Sequence, residues 1–169
     1  ADLAADPTVP VRTSDHDPLV ADLVVPAFLD ADLAVLVAGP FVPVLDGQRA
    51  PFLALVGNLG ESRALRPELV VNLDARPDQL LAVHAEGWLC DTPVADGDGS
   101  RLACGREEAL APGGFDLLRF DLQARRETVQ DQVGLHIQAR TRSNDTHAGN
   151  DADGASVKVV GRPRSRGGH

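Results

Sequence analysis

Apolar and polar residues alternate with a period of two along most of the chain after residue 30. The pattern is clearest in residues 115–124 and 132–140, where the apolar faces run through Leu118, Phe120, Leu122 and Ala124 and through Val133, Leu135, Ile137 and Ala139. Successive side chains of a β-strand point to opposite faces of its sheet. The alternation therefore predicts strands with one buried face and one solvated face.

The same reasoning predicts further strands on either side of these two. They are placed at 33–37, 51–58, 67–74, 79–84, 87–90, 101–104 and 155–159. Clusters of Gly, Pro, Asn and Asp separate strands at spacings of about 8–12 residues, as in antiparallel sandwiches. A helical turn is possible at 107–111, before Pro112. We therefore predict an all-β, antiparallel immunoglobulin-like β-sandwich over residues 30–161.

The ends of the chain differ from this body. Residues 19–25 form a short apolar run that predicts a strand, and Pro26 blocks its continuation because proline has no N–H to donate. The domain boundary is therefore expected near residue 30. Residues 162–169 hold Arg162, Arg164 and Arg166 among glycines, which predicts a disordered basic tail.

Charge and length limit the function classes. The net charge is −9, with 25 acidic against 16 basic residues, and such a surface repels a phosphate backbone. No run of about 18 apolar residues predicts a membrane span. The chain has no methionine and opens with Ala1, so we expect the initiation site to lie upstream, and a missing signal peptide says nothing about export.

Cys90 and Cys104 are the two cysteines of the chain. The turn-rich segment between them can bring two strand ends together, and a closed loop of about 15 residues would contribute about 3 kcal/mol if the thiols were oxidised. A disulfide would fit an exported protein, whereas two free thiols would fit a cytosolic one. Zinc is disfavoured because the cysteines lack CxxC spacing and a histidine pair nearby.

The segment Ser14-Asp15-His16-Asp17-Pro18, followed by an apolar strand, resembles the C-terminal signature of the endonuclease/exonuclease/phosphatase superfamily. The resemblance implies that His16 contacts the region of the scissile phosphate, that Asp15 lies near the metal or the nucleophilic water, and that Ser14 gives a supporting hydrogen bond. It also implies Mg²⁺ as the cofactor, held by carboxylates.

In that family the motif closes the catalytic domain, so the rest of the site would lie upstream of Ala1. Residues 1–29 are then the remnant of a truncated α/β phosphodiesterase domain, including its last strand. The whole chain is predicted to be the C-terminal part of an exported, metal-dependent phosphodiesterase, plausibly an extracellular nuclease. The fragment holds no metal site, has no activity of its own, and reaches nucleic acid only through the upstream catalytic domain.

A second set of motifs lies within residues 31–160. It comprises Ala31-Asp32-Leu33, the segment Gly57-Asn58-Leu59-Gly60, Gly87-Trp88-Leu89-Cys90, Cys104, Leu110-Ala111-Pro112-Gly113 and Gly149-Asn150-Asp151. Together they resemble the immunoglobulin-like repeat domain of bacterial surface and secreted proteins. The resemblance implies that the two cysteines are bridged and that the protein is secreted or at the bacterial cell surface, with a possible cell-surface partner.

Three further expectations concern single features. Asn58 and Gly60 tolerate positive φ, which a tight bend after a strand requires. Trp88 is expected in the core near the disulfide, and the alternative is a stacking platform of a carbohydrate-binding sandwich. The acidic loops 96–99 and 144–154 lack EF-hand spacing, so solvated turns are expected rather than calcium sites.

If the Ser-Asp-His motif is coincidental, the chain is instead a non-enzymatic surface or adhesion module.

Overall fold

The computed structural model describes residues 30–126 and 131–161, and within these ranges the protein is nearly all β. The strands are β1 (Leu33–Ala38), β2 (Val44–Leu45), β3 (Arg49–Asn58), β4 (Glu68–Leu73), β5 (Leu80–His84), β6 (Leu89–Cys90), β7 (Val94–Asp96), β8 (Gly99–Gly105), β9 (Phe115–Gln123), β10 (Gln132–Arg140) and β11 (Ala152–Val160). A short 3₁₀ helix covers Pro77–Gln79.

The strands form two sheets that pack face to face. The smaller sheet has the order β1-β3-β9-β5, and the larger has the order β2-β11-β10-β4-β8-β6, with β7 paired to β8. Strands that follow one another in sequence therefore often lie in different sheets. Strands far apart in sequence pair with each other, as in immunoglobulin-like folds.

The register of the strands puts the alternating apolar positions on the inner faces. In the smaller sheet Phe52 of β3 lies opposite Phe120 of β9, and both are fully buried. In the larger sheet Ile137 of β10 lies opposite Val71 of β4, and both are also fully buried. Burying one such side chain contributes about 1.5–3 kcal/mol, so these inner faces hold the two sheets together.

The predicted all-β immunoglobulin-like sandwich is confirmed, although one pair of its named strands is parallel rather than antiparallel. Strand β2 pairs with β11 in parallel, through Val44 opposite Val159. This strand and β7 were not predicted, because two or three residues are too short for a visible alternation.

The helical turn considered at 107–111 is absent. Leu110 instead forms a β-bridge with Ala64, because the backbone N–H and C=O of each residue pair with those of the other. The helical turn that does form, at Pro77–Gln79, is closed by the buried side chain of Gln79, whose Oε1 accepts a hydrogen bond of 2.6 Å from the N–H of Arg76.

The predicted strand at 19–25, the remnant domain 1–29 and the basic tail 162–169 lie outside the described residues, and those boundaries stay predictions. Among the described residues, no helix is long and apolar enough to cross a membrane.

Candidate functional site

Asp15 and His16, predicted to be catalytic by resemblance, and the supporting Ser14 lie outside the described residues. Their roles therefore stay predictions. Across residues 30–126 and 131–161, no three His, Cys, Asp or Glu side chains are placed so that they could hold a metal ion.

The structure joins Cys90 and Cys104 in a disulfide with an S–S distance of 2.04 Å. The two residues lie directly opposite each other on β6 and β8. The bridge therefore ties neighbouring strands of the larger sheet, whereas the disulfide of antibody domains crosses from one sheet to the other. Its effect is to fix the short edge strand β6, which has two residues in the ladder.

Trp88 ties the two sheets together beside this bridge. Its side chain is buried, and its Nε1 donates a hydrogen bond of 2.9 Å to Oδ2 of Asp116 on β9. Arg106, which follows β8, places Nη1 3.1 Å from the same carboxylate oxygen. A buried indole whose N–H already has a partner is a structural clamp, and this placement argues against a stacking platform for sugar rings.

Asn58 occupies the last inward position of β3 and is fully buried. Its Nδ2 donates to the carbonyl oxygens of Ser62 and Leu110 at 2.6 and 2.9 Å, and its Oδ1 accepts from the N–H groups of Asp32 and Gly60 at 3.2 and 3.1 Å. One side chain thus supplies the partners for four backbone groups at this end of the sandwich, which would otherwise be costly to bury.

The expectation of positive φ at Asn58 and Gly60 is wrong, since neither has one. Gly60 is needed for a different reason: a Cβ there would overlap the backbone of residues 30–32. Asn58 falls in the apolar phase of β3, after Phe52, Ala54 and Val56, and a polar residue in that phase was the sequence signal of a buried hydrogen-bonding role.

The loop before β11 and the first residues of β11 protect the free edge of β1. Oδ2 of Asp145 accepts a hydrogen bond of 3.1 Å from the N–H of Leu33, and Oδ2 of Asp153 accepts one of 2.7 Å from the N–H of Val37. Between them, the carbonyl of Asn150 accepts from the N–H of Val35 at 3.0 Å. An unpaired strand edge is a template for aggregation, so these acidic residues have a structural role rather than being only solvated.

Three carboxylates meet at this edge. Burial, followed by the negative charges of Asp145 and Asp32, raises the pKa of Asp151 from 3.8 to about 6, and a hydrogen bond with the Asp145 side chain adds to the shift. Asp32 has partners of its own: its Oδ1 accepts from Nδ2 of Asn150 at 2.8 Å, and its Oδ2 lies 3.3 Å from Nδ1 of His147. Burial and the neighbouring negative charges therefore destabilise the charged form of Asp151.

The candidate binding site is an open groove of about 650 Å³ along β8 of the larger sheet. Its charged lining consists of Arg66, Arg106, Arg142, Glu68, Asp91 and Glu107. Leu89, 74% exposed, lies at the same groove. Charges of both signs beside an exposed apolar side chain suit the recognition of a polar segment of another molecule.

No protein-family model matches the chain, and no curated protein matches it significantly. Several solved structures do match the chain. The CARDB domain of a Pyrococcus furiosus protein, in complex with di-metal ions, superposes with a TM-score of 0.54 at 18% identity, covering 80% of this chain and 98% of that one. The solution NMR structure of that domain gives a TM-score of 0.50 at 16% identity, covering 78% and 97%.

A further structure, an uncharacterised protein from Nocardia farcinica with an immunoglobulin-like fold, has a TM-score of 0.46 at 12% identity and covers 73% of this chain and 97% of that one. The two CARDB likenesses show the fold alone, an immunoglobulin-like sandwich of the CARDB type. They give no support to the resemblance between residues 14–18 and the phosphodiesterases.

Proposed function

We propose that residues 30–161 are an accessory, non-catalytic module of an exported bacterial protein. The observation that carries this proposal is the use of buried and half-buried polar side chains. Asn58, Asp116, Asp145 and Asp153 are engaged in tying strands and sheets together. Such a scaffold positions or presents other groups, and the Cys90–Cys104 disulfide supports export because disulfides persist in oxidising compartments.

The groove along β8 is where this module would contact a partner. Arg106 is held in place by Asp116, so part of the groove wall is preorganised at little further entropic cost. Arg66 and Arg142 add cationic groups to the wall, and Glu68 and Glu107 add anionic ones. The partner proposed here is a polar surface or segment at the bacterial cell surface.

We further propose that an enzyme carries this module. By resemblance, Asp15 and His16 would belong to a Mg²⁺-dependent phosphodiesterase domain that precedes the sandwich, and the sandwich would be its spacer or docking unit. The chain itself would be inactive, because one imidazole and one carboxylate without a metal-binding carboxylate set supply little of the required charge stabilisation.

A nicking assay tests this assignment. The purified full chain is incubated with supercoiled plasmid DNA and Mg²⁺, with His16→Ala as the matched variant. We expect no nicking by either protein. Mg²⁺-dependent nicking by the wild-type chain that is lost in His16→Ala would show that this chain holds a complete active site, and it would contradict the proposal.

A surface or adhesion module without a catalytic domain is the second candidate, because the same mixed-charge groove would serve it equally well. The coding sequence upstream of Ala1 distinguishes the two. A metal-binding glutamate and an asparagine-rich loop would favour the phosphodiesterase, whereas further tandem sandwiches would favour the adhesin. Binding on a glycan array, with a fluorescence change at Trp88, would instead revive the carbohydrate-binding alternative that the burial of Trp88 disfavours.

A further inference from the structure

The outer face of the smaller sheet carries an apolar patch that spans three strands. We define it by Leu36 of β1, Leu53 and Leu55 of β3, and Phe115 and Leu117 of β9, whose exposed fractions are 63%, 42%, 38%, 56% and 62%. Leu36, Leu55 and Leu117 form one row, because Leu55 pairs with each of the other two. The patch is therefore continuous rather than a set of scattered leucines.

Such a face is unusual for a sandwich, in which the outer side of an antiparallel sheet is normally polar. The larger sheet follows that rule, with Asn72, Arg101, Gln138 and Lys158 exposed. From the exposed fractions, the five patch residues present about 500 Å² of apolar surface, which is close to the upper end for single patches on monomers. A specific interface buries about 800 Å² per partner, so the patch with its rim is large enough for a weak, reversible association.

The rim of the patch is charged differently at its two ends. At one end Arg49, Arg119 and His84 surround the buried carboxylate of Asp121, at distances of 3.5, 2.9 and 3.7 Å, and their side chains are 59%, 45% and 66% exposed. At the other end, where β1 begins and β3 ends, Glu61 is exposed, and its N–H donates to the carbonyl of Asp30 at 3.1 Å. The patch therefore has a cationic end and an acidic end.

We propose that this face binds a second copy of the same chain, with a two-fold axis close to Leu55. Arg49 begins β3 and precedes Leu55 by six residues, and Glu61 follows Leu55 by six residues, in the turn after β3 ends at Asn58. A two-fold axis at Leu55 therefore brings the cationic end of one copy over the acidic end of the other, while the leucines of the two copies meet in the middle. Isologous pairing requires this self-complementarity.

The net charge of −9 on each copy opposes association at long range. At physiological ionic strength, however, charges farther apart than about 8 Å are largely screened. The apolar contact and the two Arg49–Glu61 encounters act within that distance. The pairing concerns the outer face of the smaller sheet and goes beyond the proposed accessory function, which uses the groove on the larger sheet.

Sedimentation equilibrium of the full chain tests the pairing. We expect a monomer–dimer equilibrium with a Kd of about 1–100 µM. Leu55→Glu should raise the Kd about 100-fold, because it places two carboxylates against each other at the axis. Val94→Glu, at an exposed valine of β7 in the larger sheet, is the matched control and should leave the Kd unchanged. Circular dichroism checks that each variant is folded, and Leu36→Glu replaces Leu55→Glu if that variant is not.

The orientation has a test of its own. Glu61→Lys should raise the Kd about 10-fold, because it places two cations together at each end of the pair, and an unchanged Kd would overturn the two-fold arrangement. A wild-type chain that stays monomeric at about 200 µM would overturn the proposal. If that monomer binds anilinonaphthalene sulfonate, the patch is open to a different partner, and if it does not, another segment of the chain covers the patch.

Discussion

At the scale of single residues, the carboxylates at the free edge of β1 both stabilise the fold and carry an electrostatic cost. Asp145 and Asp153 accept hydrogen bonds from backbone N–H groups of β1, which gives partners to donors on an otherwise unpaired strand edge. Asp151 is placed between like charges, and its Oδ1 is buried without a hydrogen-bond partner. We therefore expect Asp151 to be the residue of this cluster that limits stability at neutral pH.

Asp151→Asn should stabilise the protein at about pH 7.5 by about 1 kcal/mol, a value discounted for the partial exposure of the side chain. The folded protein holds the Asp151 proton up to a higher pH than the unfolded chain does, so the penalty develops as the pH rises from 3.8 to about 6 and is full above that range. The gain should therefore vanish at about pH 4. Urea unfolding at the two pH values measures it.

The matched control for this substitution is Asp98→Asn, in the exposed turn between β7 and β8. It should leave the free energy of unfolding unchanged at both pH values. A loss of stability in Asp151→Asn at about pH 7.5, or a gain that is the same at about pH 4, would contradict the assignment of the electrostatic cost to Asp151.

Residue roles were harder to predict from the sequence than residue burial. The alternation in 115–124 placed Phe120 inward, but it also placed Asp121 in solvent, whereas Asp121 is fully buried on the outer face. Arg49 and Arg119 shield it there from neighbouring positions. Arg119 is two residues from Asp121 on the same strand, but the contact with Arg49 depends on β3 becoming the neighbour of β9, which no local pattern of residues could reveal.

At the scale of strands, the long elements were predictable, whereas of the three shortest only β6 lay within a predicted strand, at 87–90. Strands β3, β9 and β10 each have nine or ten residues, enough for a period of two to be visible. Strand β2 has two residues and forms because β11 offers it a parallel partner. Its sequence alone gives no such preference, since its pairing is set by tertiary contacts.

The disulfide acts at this same scale, because β6 has only two residues paired with β8. Replacing Cys90 and Cys104 together by Ala should lower the free energy of unfolding by about 3 kcal/mol, since the loop that the bridge closes has about 15 residues. For a domain of this size the melting temperature should then fall by about 10 °C. Differential scanning calorimetry of both proteins measures the change.

Reduction with dithiothreitol supplies the control. It should lower the melting temperature of the wild type toward that of the double variant, and it should have no effect on the variant itself. A wild type whose melting temperature does not respond to the reductant would show that the bridge contributes nothing to stability. It would also remove the disulfide as support for an exported protein.

At the scale of the whole molecule, the two outer faces of the sandwich differ in character. The larger sheet presents polar side chains and a groove of mixed charge, and the smaller sheet presents the apolar patch around Leu55. The sandwich itself followed from strand spacing. The apolar patch could not be predicted, because the segment 51–58 is apolar in both phases of its alternation. Only the folded sheet, in which β3 pairs with β1 and β9, shows that Leu53 and Leu55 face outward.

The sandwich of residues 30–161 should be self-sufficient, with a stability that does not depend on the rest of the chain. Calorimetry of a 30–161 fragment beside the full chain measures this. We predict one cooperative transition in each, with melting temperatures that agree within about 3 °C. A fragment without a cooperative transition, or one that melts more than about 10 °C below the full chain, would contradict the claim.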